Sequence, residues 1–429
     1  MKKLLIGAGV AGIAVVALGA GSLIFTDRQI DNMVAQVEQT VSQPMTMTVL
    51  QDDNSLLHRQ LNLVLAMDDG ESQFKVFIEN AIEKRPWGTS IQHIILMDDG
   101  FAKMDSNDEI NQLLTQYFVD QPFVTGTTNV SFSGNYQSTF QSKSVNESLS
   151  EGSFALSPFE LVVTGNLTGD LTINGSWAGM SMVNNDLQES SVLVKPVQVS
   201  AVGELYNNSV FLGKQMLSGE GMEFVQTSEW QNQRFTMAPF SFVSSGELAD
   251  DHFSGLFTAA LEGFNYEDDD NSLNVKNVNT SISISGIEAS NYKKLVDGLN
   301  EMQVSGVPSD VLMGQASTLL RNGFVIEMND WVATVDDQNI AFGAALVIPE
   351  NDVADVSNLF SLMGLFANVK ANANLQFDQG LADVPVLHEP LLTLLTSGVM
   401  VNDDTQYRME FSLENGIALL NKEPLPLPF

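Results

Sequence analysis

Residues 7–12, Gly7-Ala8-Gly9-Val10-Ala11-Gly12, satisfy the G-x-G-x-x-G pattern, with Leu4 to Ile6 in the place of a strand. In a dinucleotide site such glycines permit a tight turn and close approach to a pyrophosphate, and an acidic residue about 20 positions on holds the ribose. Asp27 and Asp31 lie near that distance. They come after an unbroken apolar run that no solvent-facing helix of such a fold tolerates, and no alternation of strand and helix comes after it. The small residues read instead as a packing surface between membrane helices, with Ala8 and Gly12, or Ala17 and Gly21, four apart. No flavin or nicotinamide cofactor is expected.

Four other groupings carry chemistry-bearing types. Ser290-Asn291-Tyr292-Lys293 matches the S-x-x-K of acyl-transfer enzymes, but the later S-x-N and K-T-G elements are missing. Ser290 is expected to cap a helix. Asp251-His252 lies near serines in a chain without a G-x-S-x-G elbow. The histidines, His58, His93, His252 and His388, show no metal-ligand spacing and read as isolated residues, so no zinc site is expected. In Glu267-Asp268-Asp269-Asp270, the residues Asp268, Asp270 and Ser272 open like a calcium loop. Leu273 replaces the turn glycine and Asn279 the closing glutamate, so a solvated turn is expected. No catalytic, cofactor-binding or metal-binding residue is assigned, and a non-enzymatic role is expected.

The elements that would position such groups begin with a membrane address. Lys2 and Lys3 precede an uncharged apolar run over residues 4–25, about 33 Å long as a helix against the roughly 30 Å core of a bilayer. The positive-inside bias keeps residues 1–3 cytoplasmic and exports the chain beyond residue 25. A cleaved signal peptide is the competing reading, since Ala17, Gly19 and Ala20 offer a small-residue site, but the apolar run continues through Phe25. With no cysteine in the chain, a lipid-modified cysteine anchor is excluded.

Composition narrows the exported part. With 53 acidic against 19 basic residues, a net charge of −34 repels nucleic acid and anionic head groups, and it reads as solubility in a salty compartment ahead of an acidic surface made for a basic partner. Nucleic-acid partners are excluded. Without cysteines, ordinary apolar cores must hold the chain, and 44% hydrophobic residues suffice for that. The 18 methionines and the tryptophans Trp87, Trp177, Trp230 and Trp331 are spread through strand patterns and read as core.

Residues 26–43 carry Ile30, Met33, Val34 and Val37 at helical spacing, a stalk that ends at Pro44. From Met45 the period becomes two, as in Leu61, Leu63, Leu65 and Phe74, Val76, Ile78, with Asp69-Gly70 and Asp99-Gly100 as hairpin turns. A helix over 108–118 interrupts the strands. They resume with Val162 and Val163, with Leu171 and Ile173 before a break at Asn174-Gly175, with a run over 192–199, and with Ile282, Ile284 and Ile287. Near Ser290 a helical hairpin is expected, one helix carrying Tyr292, Leu295, Val296, Leu299 and Met302, the next opened by Pro308 and Ser309. Beyond it come strands over 324–328, 331–335 and 340–348, a helix over 352–365, a strand over 369–377, a helix over 389–396 and a terminal hairpin through Asn415-Gly416. The fold class is α+β, predominantly antiparallel β, with a long meandering, curved sheet, a few helices and an N-terminal transmembrane helix. The divisions are a tip (1–3), anchor (4–25), stalk (26–43), β-rich region (44–288) and α+β region (289–429).

The basic-flanked anchor, Phe25-Thr26, the long β region, the helical pair and the closing residues Tyr407, Gly416, Leu420-Asn421 and Pro424-Leu425 resemble the YdgA-like family of bacterial inner-membrane proteins of unknown function. Asp27 stands where that family has glycine after the threonine, and Lys422 where it has a second turn glycine after the asparagine. The resemblance implies a bacterial inner-membrane location with the body in the periplasm, and no catalytic residues. A sheet with one apolar face, tethered in a membrane, suits an acyl chain as guest, and flexible methionines favour it. Lipid handling is therefore the first functional expectation. An envelope scaffold that binds protein partners is the second, and a hydrolase whose groups meet only in the fold is the third.

Overall fold

The computed structural model describes residues 45–425 apart from 69–72, 99–111, 113–114, 167–168, 186–188, 207–209, 229–231, 293, 295–309 and 353–363. The anchor, the stalk, the G-x-G-x-x-G run and Lys293 lie outside the described residues. Among the described residues no helix is long and apolar enough to cross a membrane. Two compact units are present, one comprising residues up to Met182 with Pro196–Asn208, the other Val183–Lys195 with residues from Ser209 onward.

The first unit is a meander of antiparallel pairs. β1 (Met45–Asn54), β2 (His58–Asp68), β3 (Gln73–Arg85), β4 (Gly88–Met97), β5 (Val124–Ser131) and β6 (Asn135–Ser142) pair in succession. A short hairpin of β7 (Val145–Leu149) and β8 (Gly152–Leu156) leads to β9 (Phe159–Asn166), which pairs with β6, and to β10 (Asp170–Trp177), which pairs with β9. β11 (Met180–Asn184), β12 (Glu189–Val194) and β13 (Val197–Tyr206) come next. β13 pairs with β10 in the first unit, whereas β12 belongs to the second. The run expected over 192–199 is thus two strands. Pro196, which has no N–H for a ladder, sits between them.

Alternation sets the core of this unit. Leu61, Leu63 and Leu65 on β2, Val76, Ile78 and Ile82 on β3, and Ile91, Ile95 and Met97 on β4 are all buried, each contributing about 1.5–3 kcal/mol relative to exposure. Arg59 joins this buried face, with its Nε 2.7 Å from Asp52 Oδ1 and its Nη2 2.6 Å from Asp52 Oδ2. The break expected at Asn174-Gly175 does not form, for both residues lie inside β10. A Cβ on Gly175 would stand 2.6 Å from Val199 Cγ1 and 3.1 Å from Leu161 Cδ1, so the glycine makes room for its cross-strand neighbours. Of the helix expected over 108–118, the described residues are Gln112, which is helical, and a π-helical turn, Thr115–Val119, that buries Phe118.

The second unit is built on a long hairpin. β14 (Val210–Gly219), β15 (Met222–Thr227), β16 (Asn232–Met237) and β17 (Phe240–Ala249) lead to β18 (His252–Asp268), which pairs over most of its length with β19 (Ser272–Glu288). On its other edge β18 takes β17 along its first part and β16 along its last, and these continue to β14 and to β15 and β12. Beyond β19 the sheet runs through β20 (Phe324–Val335), β21 (Gln338–Ile348), β22 (Lys370–Asp378), β24 (Gln406–Glu414), β25 (Ile417–Leu420) and β26 (Glu423–Pro424), with β23 (Val401–Asp403) beside β24. Two helices pack on one face. α1 (Asp310–Asn322) brings Leu320 to Ile348, Phe324 and Leu413. α2 (Pro385–Thr396) brings Leu391 to Phe377, Ala333 and Val335. Gly323, at φ 74, ends α1 in the left-handed conformation that glycine adopts without strain.

Candidate functional site

One face of the second unit's sheet is apolar from strand to strand because the register aligns its hydrophobic positions. Leu217 on β14 stands opposite Phe242 on β17, Phe242 opposite Ala259 on β18, and Phe240 opposite Leu261. Phe257 then faces Ile282 on β19, Ile282 faces Met328 on β20, and Met328 faces Ala344 on β21. Alternation with serines and other polar residues puts these side chains on one side. The Phe240 and Phe242 rings lie 5.6 Å apart and the Phe242 and Phe257 rings 6.3 Å apart, and Phe240 lies over Gly219, whose Cβ would stand 2.5 Å from its ring.

The helices leave part of this face open. Leu217, Phe242 and Phe257 remain 39%, 40% and 39% exposed, and Phe240, Ile282, Ile284 and Met328 are half-buried. Thr280, opposite Ala259, adds a buried hydroxyl oxygen with no hydrogen-bond partner. Such an orphan costs about 1–3 kcal/mol unless a partner reaches it. Chemically this row offers hydrocarbon contact. The members named here include no acid, base or cation.

The residues singled out in the sequence do not meet. His58 is exposed beside the β1–β2 turn, where Ser55 Oγ donates to its carbonyl at 2.8 Å. His252 is exposed at the β17–β18 turn with Nδ1 2.8 Å from Asp250 O, and Asp250 and Asp251 both have positive φ. His388, exposed on α2, places Nδ1 2.7 Å from Ala382 O. In the acidic run, Asp268 accepts from the backbone N–H groups of Asp270 (2.9 Å) and Asn271 (2.7 Å) and from Tyr266 Oη (2.9 Å), which holds its carboxyl below the usual range. Asp269 accepts from Asn232 at the start of β16. These carboxylates close a hairpin. Ser290 is not the cap expected of it, because helical residues begin at 289 and its hydroxyl donates to Glu288 Oε1 at 3.0 Å, alongside Asn291 and Asn322 on Oε2. Trp87 is 69% exposed at a hairpin tip, so it lies outside the core assigned to it.

His93 is the exception to isolation. Asn80 Nδ2 donates to Leu61 O (3.0 Å), which turns its Oδ1 toward His93 Nδ1 at 2.7 Å, and His93 Nε2 lies 2.8 Å from Thr128 Oγ1. Thr128 Oγ1 donates to Ser138 Oγ at 2.8 Å. Hydroxyl, imidazole and carboxamide in this order match the roles of nucleophile, base and orienting group. Yet all four side chains are buried, Thr128 and Ser138 completely, so no substrate reaches them. The row crosses five adjacent strands, β2 to β6, and fixes their register through the middle of an apolar face. Burial alone lowers the His93 pKa to about 4.

Neither the polar row nor the apolar face was named residue by residue from the sequence. The available signal was Phe240-Ser241-Phe242, alternating on one strand. Among the described residues no group of three His, Asp or Glu side chains stands together as a metal site. The fold and this face define a mainly antiparallel β protein with an open apolar sheet surface. The chain belongs to a family of bacterial proteins of unknown function (DUF945), whose family model matches residues 1–428. No curated protein and no solved structure matches it.

Proposed function

We infer that this is a non-enzymatic envelope protein, held in the bacterial inner membrane by residues 4–25 with its body in the periplasm, that shields an acyl chain on the open apolar face of the second unit. The observation that carries this reading is the aligned row Leu217, Phe242 and Phe257, each about two-fifths exposed and continuous with half-buried Ile282 and Met328. Contiguous exposed apolar surface of this kind marks a binding site rather than the scattered hydrophobic residues found on any protein. The closing residues from Tyr407 to Leu425 support placing the chain among the YdgA-like members of its family, whose location this reading adopts.

Photo-crosslinking in living bacteria tests the reading on the full chain. A benzophenone side chain at position 242 or 257 is expected to yield lipid adducts, and one at Ser283, on the opposite face, none. Adducts to protein alone at 242 and 257, or equal lipid labelling at 283, would overturn it.

A further inference from the structure

The opposite face of the same sheet carries an independent feature. On β21, Ala341, Gly343 and Ala345 form a floor without bulk. β22 raises Gln376, Asn374 and Asn372 directly beside them in register, and β20 raises Asn329 on the other side, at the bulge between Met328 and Trp331. Together they bound a depression of about 240 Å³. A Cβ on Gly343 would stand 2.6 Å from Asn374 Oδ1, so the amide leans over the glycine and a larger residue would push it off. All four carboxamides are exposed, and none is hydrogen-bonded to another described residue.

Same-face residues on a strand recur every two positions, about 6.6–6.8 Å. That is also the repeat of peptide groups along one side of any other extended chain. A carboxamide presents donor and acceptor side by side, the complement of a peptide C=O and N–H. Glu327, opposite Ala345 in register, puts a carboxylate at one end of the floor, and the whole chain has a net charge of −34. We propose that this groove binds an extended polypeptide segment with small and basic side chains. Its main chain is held by Asn372, Asn374 and Gln376 against Asn329, and a basic side chain is directed toward Glu327.

The test is fluorescence anisotropy on the full chain in mild detergent, with a labelled alternating Lys-Thr octapeptide, its Glu-Thr counterpart and a neutral oligosaccharide of similar length as competitor. The Lys-Thr peptide is expected to bind at least fivefold more tightly than the Glu-Thr peptide. Asn372→Ala combined with Asn374→Ala is expected to weaken it at least fivefold, and Gln376→Ala alone at least twofold, with melting temperatures unchanged. Because these variants alter no charge, general attraction to an acidic protein predicts no effect from them. Equal affinity in all variants, no peptide binding, or displacement of the peptide by the oligosaccharide would overturn the proposal.

Discussion

His93 stands between Ile91 and Ile95 on a buried strand face, and this much is readable from the alternation around it. Its partners are not readable, because Asn80 and Thr128 lie 13 and 35 residues away in sequence and meet it only through strand register. The physical consequence is a pH dependence. The folded-state pKa is about 4, below the ordinary 6.5, so between these values the unfolded chain binds a proton that the folded one does not. Stability is therefore full above about pH 6.5 and falls as pH drops toward 4, by about 3 kcal/mol in all. Many carboxylates titrate in the same range, so the prediction concerns a difference. His93→Gln, compared with wild type by denaturant unfolding at pH 7 and pH 4.5, should lose less stability on acidification by roughly 2 kcal/mol. Parallel losses in both proteins would mean that His93 is not buried in its neutral form.

Turns decide how well the elements could be anticipated. Asn415-Gly416 was legible as a hairpin turn and forms one, with φ of 53 and 74. Asn174-Gly175 uses the same dipeptide type inside a strand, where its glycine serves packing, and no local pattern separates the two cases. The strands over 324–328, 331–335 and 340–348 were legible from their apolar and aromatic residues, but the first two are one strand, β20, with a bulge between Met328 and Trp331. At the β25–β26 turn the chain keeps the two-residue form although Lys422 stands where a glycine was expected, and Asn421 and Lys422 have φ of 52 and 69. A lysine held at positive φ costs about 1 kcal/mol relative to glycine. Its ion pair with Glu410, at 3.9 Å and with the lysine 86% exposed, returns almost nothing. Lys422→Gly should therefore raise unfolding stability by about 1 kcal/mol. A loss of stability in guanidinium unfolding would show that the ion pair outweighs the backbone strain.

At the scale of the whole molecule, the alternation that identified an antiparallel β protein could not say which apolar face would be covered. Helices α1 and α2 cover the ends of the second unit's face by packing on Ile348, Leu413, Phe377 and Val335, and leave the row through Phe242 and Phe257 open. Which strands those helices reach depends on crossovers that local sequence does not encode. The apolar alternation in the sequence, Phe240 to Phe242 and Phe257 to Leu261, is the same on the open part as on the covered part. Charge is the other whole-molecule property with a consequence. A net −34 disfavours anionic head groups at the surface, so the retained guest is expected to be zwitterionic or weakly charged. The most direct measurement is native mass spectrometry of the full chain purified from membranes in mild detergent, wild type beside Phe242→Asp with Phe257→Asp. The account predicts near-stoichiometric phospholipid or fatty acid on the wild type, lost in the variant without loss of fold. A wild type free of lipid, or lipid retained equally by both proteins, would contradict it.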